Sequence, residues 1–290
     1  MQQRTKEEKG VLFIVATPIG NLEDITLRAL RILKDADIIC AEDTRRTRKL
    51  LNTYQIKTKL ISLHGHNEKI KAASIISCIK DEKSVAYVTD AGTPCVSDPG
   101  QHLISLAHDE NIRVTAIPGP SAVVAALSTS GFVADSFLFC GFIPAQKNKR
   151  RKLFTQIKEQ KRTIVFYESP VRLYESLVDM RKVLGERHIV IARELTKIFE
   201  EITRCKLSEI ISDINTEKKI KGEITLVVEG YKEKHPVISE QELKKLLYDM
   251  IKQNKTIRDA VEAVASQTGL PKKEVYAVGV KIKKDRFVSK

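Results

Sequence analysis

Charged side chains crowd the ends of short apolar runs in this sequence, where a folded sheet would expose them. In Cys40-Ala41-Glu42-Asp43-Thr44-Arg45-Arg46-Thr47-Arg48, two carboxylates end one such run and arginines follow at once. A carboxylate or a neutral histidine at a strand end can act as a general base. An arginine beside it can hold a phosphate or a developing oxyanion. Helix N-termini favour acids and disfavour cations, so arginines in the first turns run against the helix dipole, a local conflict of the kind that marks function. A solvated charged face capped by Asp43 or Thr44 explains the same residues. His64-Gly65-His66-Asn67-Glu68 follows another run. His64 is a competing base, and without a cysteine or further histidine nearby the pair is not expected to bind metal.

A second group of segments is rich in Gly and Pro. Thr17-Pro18-Ile19-Gly20-Asn21 ends the first run, and its Gly and Asn can take positive φ and admit a ligand close to the backbone. A plain turn fits equally well. Asp90-Ala91-Gly92-Thr93-Pro94, continuing to Ser97-Asp98-Pro99-Gly100, follows Val85–Thr89 at a carboxyl end, where open α/β sheets bind ligands. The plainer reading is a strand-to-helix loop with Asp98 as cap. Pro118-Gly119-Pro120-Ser121-Ala122 repeats the arrangement, with Ser121 as a possible N-cap. Phe166-Tyr167-Glu168-Ser169-Pro170, Arg193-Glu194-Leu195-Thr196-Lys197 and Gly222-Glu223-Ile224-Thr225 close or open runs in the second half. Dinucleotide fingerprints, P-loops, zincin motifs and serine-hydrolase elbows are absent from the sequence.

These segments need elements to hold them. Val11–Ala16, Asp37–Ala41, Leu60–Leu63, Val85–Thr89 and Val114–Ile117 alternate with helical patterns and predict a largely parallel sheet over residues 1–130. Over residues 131–230, Phe137–Phe142, Thr163–Tyr167, His188–Ala192, Ile198–Thr203 and Glu223–Glu229 with three intervening helices predict a mixed sheet. Tyr231 to Ser239 reads as a linker, and residues 231–290 as a basic helical tail. The chain of 290 residues carries 50 Lys and Arg against 37 Asp and Glu, a balance that favours a polyanionic partner. The five cysteines are widely spaced and read as reduced core residues. The apolar runs fall far below the roughly 18 residues of a membrane span, so a cytoplasmic protein with no membrane partner is expected.

Taken in order, ATPIGNLEDIT, AEDTRRTRKLL, DAGTPCVSDPG, PGPSA, FYESP, RELTK and GEITLVVEG resemble the bacterial ribosomal RNA small-subunit methyltransferase I family, over about Val11 to Gly230. That family is similar to the wider tetrapyrrole methylase class (class III methyltransferases). The resemblance implies an α/β fold of two αβα subdomains with S-adenosylmethionine in the cleft between them, a small helical C-terminal domain, and a homodimer. It implies 2′-O-methylation of a cytidine ribose in 16S ribosomal RNA of the small subunit. By carry-over the cofactor would touch Pro18, Asp90, Gly92, Thr93, Val96, Ser121, Ala122, Phe166, Tyr167, Gly222, Glu223 and Thr225. Many relatives have Gly-Asp-Pro where this chain has Gly92-Thr93-Pro94, and the lost carboxylate weakens a porphyrin or corrin reading.

For such a transfer Glu42, Asp43 and His64 are the candidate bases and Arg45 the phosphate or oxyanion partner. A nearby arginine lowers a carboxylate's pKa and weakens it as a base, so Glu42 or Asp43 could position the hydroxyl instead. Arg46, Lys149, Arg150, Arg151, Arg193, Lys197, Lys272 and Lys273 are candidate RNA contacts, and no DNA is expected. Residues 231–290 hold 14 Lys and Arg against 8 Asp and Glu in a helix-turn-helix-like outline. A helical cap or dimerisation arm is the alternative. Two rival functions remain open at this point: a sibling methyltransferase acting on a tetrapyrrole or a protein, and a non-catalytic ribosome-associated RNA-binding protein.

Overall fold

The structure, a computed structural model, describes residues 9–214, 220–233, 239–252 and 256–288. It divides into two compact units, Met1–Tyr231 and Lys232–Lys290. In the first unit β1 (Val11–Val15), β2 (Ile38–Ala41), β3 (Lys59–Ser62), β4 (Val85–Val88) and β5 (Arg113–Ile117) pair in the order β3-β2-β4-β1-β5, all parallel. Helices α1 (Leu27–Asp35) and α2 (Thr44–Thr53) cover one face, where Phe13, Ile39 and Val88 meet Ala29, Leu33 and Leu51. On the other face α3 (Glu68–Lys80) and α4 (Gln101–Asp109) bury Leu12, Cys40 and Tyr87 against Ile76 and Leu103. Burial on both faces explains why these strands read as continuous apolar runs.

The second sheet is mixed, as its sequence pattern predicts. Strands β6 (Phe137–Phe142), β7 (Thr163–Glu168), β8 (His188–Arg193), β9 (Glu201–Lys206) and β10 (Ile224–Val228) run β6-β7-β10-β8-β9, with only β6 and β7 parallel. One face packs on α6 (Lys147–Gln156), α7 (Leu173–Leu184) and α8 (Leu207–Asp213). The other packs on α5 (Ala122–Ser130), through Val123, Ala126 and Leu127 against Val165, Val190 and Val227. Helix α5 thus packs on the second sheet although it precedes residue 131.

Two further expectations change. The strand placed at Ile198–Thr203 begins at Glu201, because the chain turns at residues 194–200 and leaves Ile198 and Phe199 exposed at 95% and 73%. Arg150, expected on an RNA-facing surface, is buried in α6. Its guanidinium meets Asp179 at 2.7 Å, and Arg151 meets the same carboxylate at 2.7 Å. Burial opposes ionisation of Asp179, but the hydrogen bonds from Arg151 and Arg150 outweigh it and hold the carboxyl below its usual range.

The described residues of the second unit form three helices: α9 (Glu240–Lys252), α10 (Ile257–Thr268) and α11 (Lys272–Val288). Leu243, Leu247, Val261, Val264 and Val275 form its core. Thr256 caps α10 through the Asp259 backbone N–H, and Gly269 ends it at φ 70°, as expected for a left-handed C-cap. Among the described residues no helix is long and apolar enough to cross a membrane.

Candidate functional site

A cavity of about 370 Å³ opens in the first unit at the carboxyl ends of the parallel strands, between the two sheets. The loops after β1, β4 and β5 build one wall. Thr17 and Gly92 exchange backbone hydrogen bonds at 2.9 Å, and Gly92 holds φ 80° against the Ile19 side chain. The Thr93 hydroxyl donates to the Pro120 carbonyl at 3.1 Å, tying the second loop to the third. Ser121 occupies the N-cap position of α5 without a side-chain cap bond and lines the cavity.

The opposite wall comes from the second sheet. Tyr167 of β7 lies beside Phe142, with ring centroids 5.3 Å apart, and Thr225 of β10 pairs with Tyr167 across the ladder. Glu194 accepts from the Glu223 backbone N–H at 2.9 Å and from Lys197 Nζ at 2.8 Å. A Cβ at Gly222 would stand 2.4 Å from the Glu194 side chain, so only glycine allows this approach. The walls also meet directly, since the Asn21 backbone N–H donates to the Thr196 hydroxyl at 3.1 Å.

Seven described non-glycine residues have positive φ, and Cys95, Ser97, Glu194 and Thr196 among them belong to these loops. Such conformations persist only where surrounding contacts impose them, and they concentrate at functional sites. Asp98 does not cap the following helix, which starts at Gln101 after Gly100. The buried Glu68 carboxylate does that instead, accepting from the backbone N–H of Leu103 at 2.9 Å and of Gly100 at 3.3 Å.

The acids of the cleft differ sharply. Asp43 sits on the rim as N-cap of α2, accepting from the Arg45 backbone N–H at 2.8 Å and from its guanidinium at 2.9 Å. These hydrogen bonds from Arg45 hold the Asp43 carboxyl down to about 2, which makes it a poor base. Arg45 itself is 88% exposed. Asp90 lines the cavity, accepting from the Asp43 backbone N–H at 3.1 Å and pairing with Arg46 at 3.3 Å. Glu42 is pushed up by burial and by the Asp90 carboxylate, against the pull of Arg46 and His64. His64 lies near Glu42 but does not line the cavity. Its Nε2 is 3.1 Å from the Asn67 amide nitrogen, and its buried Nδ1 has no hydrogen-bond partner among the described residues.

Of the residues expected at the cofactor, Asp90, Gly92, Thr93, Val96, Ser121, Ala122, Tyr167, Gly222, Glu223 and Thr225 line this cavity. Pro18 does not, and Phe166 points to the far face of its sheet, where it packs on Phe154. Sequence reasoning missed Asp98, Ile19, Phe142 and Leu195 as lining residues. Strand alternation could have found Phe166, because Tyr167 and Phe166 must face opposite sides. The candidate RNA contacts are scattered. Arg46 lines the cavity mouth, Lys149 is exposed on α6, and Arg193 pairs with Glu201 at 2.7 Å. Lys197 is held between Glu194 and Glu223, and Lys272 pairs with Glu262 in the second unit, where Lys273 is exposed.

Comparison with known proteins gives these features a context. The family description "Tetrapyrrole (Corrin/Porphyrin) Methylases" matches residues 11–211. The ribosomal RNA small subunit methyltransferase I of Halalkalibacterium halodurans is 45% identical over 287 residues, covering 96% of each chain. Its namesake from Bacillus subtilis is 42% identical, covering 93% of this chain and 94% of that one. Among solved structures, the cobalt precorrin-4 methyltransferase matches with a TM-score of 0.56 at 16% identity, over 76% of this chain and 95% of that chain. Diphthine synthase matches with a TM-score of 0.56 at 14% identity, over 76% and 90%. At such identities the two structures establish a shared fold alone.

Proposed function

The chain belongs to the tetrapyrrole methylase family, matched over residues 11–211, and from that premise we propose that it transfers a methyl group from S-adenosylmethionine to small-subunit ribosomal RNA. The acceptor in this reading is the ribose 2′-hydroxyl of a cytidine in 16S RNA. The observation that carries it is the cavity at the strand ends, lined by the loops that the family motifs supply, in a chain similar throughout to ribosomal RNA methyltransferases.

The cavity suits the donor. Its volume of about 370 Å³ is that of a small-molecule site. Ile19, Val96, Leu195 and Ile224 supply apolar walls, and Gly92 and Ala122 leave room for close approach. S-adenosylmethionine, when bound, supplies a methyl group that is already activated, so alignment is the protein's main task. Thr93 and the Thr17–Gly92 bridge hold one wall rigid, and the Glu194–Lys197–Glu223 cluster holds the other.

RNA would enter past Arg46 at the mouth, with exposed Lys149 and the basic C-terminal unit adding phosphate contacts. The target nucleotide would be unstacked, since A-form helices hide base edges from side chains. A homodimer acting in the cytoplasm is part of this proposal. Val171 and Ile198 support the dimer, being 88% and 95% exposed on the loops after β7 and β8, which leave the same end of the sheet. The test is methyl transfer to small subunits from cells that lack the protein, mapped by mass spectrometry. One ribose-methylated cytidine is expected. Transfer to a tetrapyrrole with none to the subunits would overturn the reading.

A further inference from the structure

Asp98 is placed differently from every other acid of the cleft. It lines the cavity, whereas Asp43 stands on the rim, and among the described residues no cation pairs with it. Its loop is fixed from both sides. Cys95 and Ser97 each hold φ 68°, and a Cβ on Gly100 would stand 2.3 Å from the Tyr87 ring. A Cβ on Gly141, in β6, would meet the Ser97 hydroxyl at 3.2 Å, which sets this loop against the second sheet. Asp98 thus stands where the two walls join, within electrostatic reach of Tyr167 on β7.

We propose that Asp98 is the general base of the reaction, its carboxylate taking the proton of the acceptor hydroxyl as the methyl group arrives. The inference rests on the methyl-transfer reading above. In this step the hydroxyl O–H bond breaks and its proton passes to a carboxylate oxygen of Asp98. The electron pair left on the acceptor oxygen forms the new O–CH3 bond. The S–CH3 bond breaks with its pair staying on sulfur, so the sulfonium and the carboxylate are neutralised together.

The surroundings suit that role. Facing Asp98 are the Glu42 carboxylate at the end of β2, Asp90 and Thr89 after β4, Tyr87 of β4, Cys95 of the same loop and Tyr167 of β7. Burial, and then the Glu42 carboxylate, push the Asp98 carboxyl up to about 6, with the Thr89 hydroxyl opposing. A base is most effective when its pKa lies near the working pH, where it is ionised and still strong. Asp43, held at about 2, is ionised but weak. Glu42 acts through Asp98 and is a positioning residue.

The experiment is single-turnover methyl transfer to small subunits between pH 5 and 8, with both ligands saturating. It is paired with a carboxyl titration of the ligand-free protein carrying 13C-labelled aspartate. In the ligand-free wild type one aspartate resonance should titrate near pH 6, and the single-turnover rate should rise with pH and level off. Asp98→Asn should lose that resonance and about 10²–10⁴ in rate, with S-adenosylmethionine affinity kept within a few fold. Glu42→Gln removes a like charge, so both the resonance and the rate profile should move to lower pH. That shift tests the proposal even if Asp98→Asn folds poorly. A near-normal Asp98→Asn rate, or a Glu42→Gln profile that stays in place, overturns the proposal while the wild type still methylates. No transfer by the wild type overturns the functional reading, and this inference with it.

Discussion

Asp43 and Asp98 border the same cleft with the same functional group, yet their surroundings assign them opposite chemistry. The rim acid is saturated by Arg45, whose guanidinium and backbone N–H both donate to it. The inner acid meets other carboxylates, a hydroxyl and burial. A carboxylate beside an arginine cluster is conspicuous in a sequence, but the arginine that draws attention to it also disarms it. The useful base is the one whose environment resists its charge.

The widest separation is expected in rate. Asp98→Asn should fall by about 10²–10⁴, whereas Asp43→Asn and His64→Ala should stay within a few fold of wild type in single-turnover transfer. Equal losses in Asp43→Asn and Asp98→Asn would erase the distinction between rim and interior.

A second pair of neighbours, Lys149 and Arg150, carries the same contrast into stability. Arg150 and Asp179 have side chains 2% and 3% exposed, so truncating the arginine leaves the buried carboxylate with Arg151 as its remaining partner. Arg150→Ala should lose about 1–3 kcal/mol in urea unfolding. Lys149→Ala should unfold as the wild type does and weaken RNA binding slightly, with a shallower salt dependence. If Arg150→Ala kept its stability but lost RNA affinity, the surface assignment from sequence would stand after all.

The C-terminal unit gives a smaller, graded effect. A chain ending at Tyr231 should bind small subunits more weakly with a flatter dependence on salt, because fewer phosphate contacts release fewer counterions. An unchanged salt slope together with loss of dimer in sedimentation would make the unit an assembly arm.

The smallest effect is acid sensitivity from the rim. The folded Asp43 carboxyl, at about 2, lies below its ordinary value of 3.8. Its contribution to stability is therefore present above 3.8 and lost as pH falls through about 2. The stability advantage of the wild type over Asp43→Asn should be constant above pH 3.8 and narrow only in that window, and a change centred near pH 6 would implicate another group.

Much of this architecture was legible in the sequence. Continuous apolar runs revealed the parallel sheet because both its faces are covered, and the switch to a mixed pattern after residue 131 reported the second sheet. The loops at the strand ends were legible from Gly and Pro. What could not be read depended on partners distant in sequence. Arg150 belongs to a basic run, and only Asp179 on α7 makes it a core residue. Asp98 was read as a helix cap because the pattern fits one. The capping carboxylate is Glu68, contributed by another helix. Ile198 and Phe199 imitate a strand, but the chain turns there to bring Glu194 and Lys197 onto Glu223.

The claim on which all of this depends is that the cleft between the two sheets holds the methyl donor. Calorimetric titration of the full-length protein with S-adenosylmethionine, in the absence of RNA, addresses it most directly. The wild type should bind at a single site per chain. Gly92→Val and Ala122→Trp, which fill the cavity from the loop after β4 and from the start of α5, should each abolish the heat signal while far-ultraviolet circular dichroism stays unchanged. Undiminished binding by both folded variants would contradict the placement.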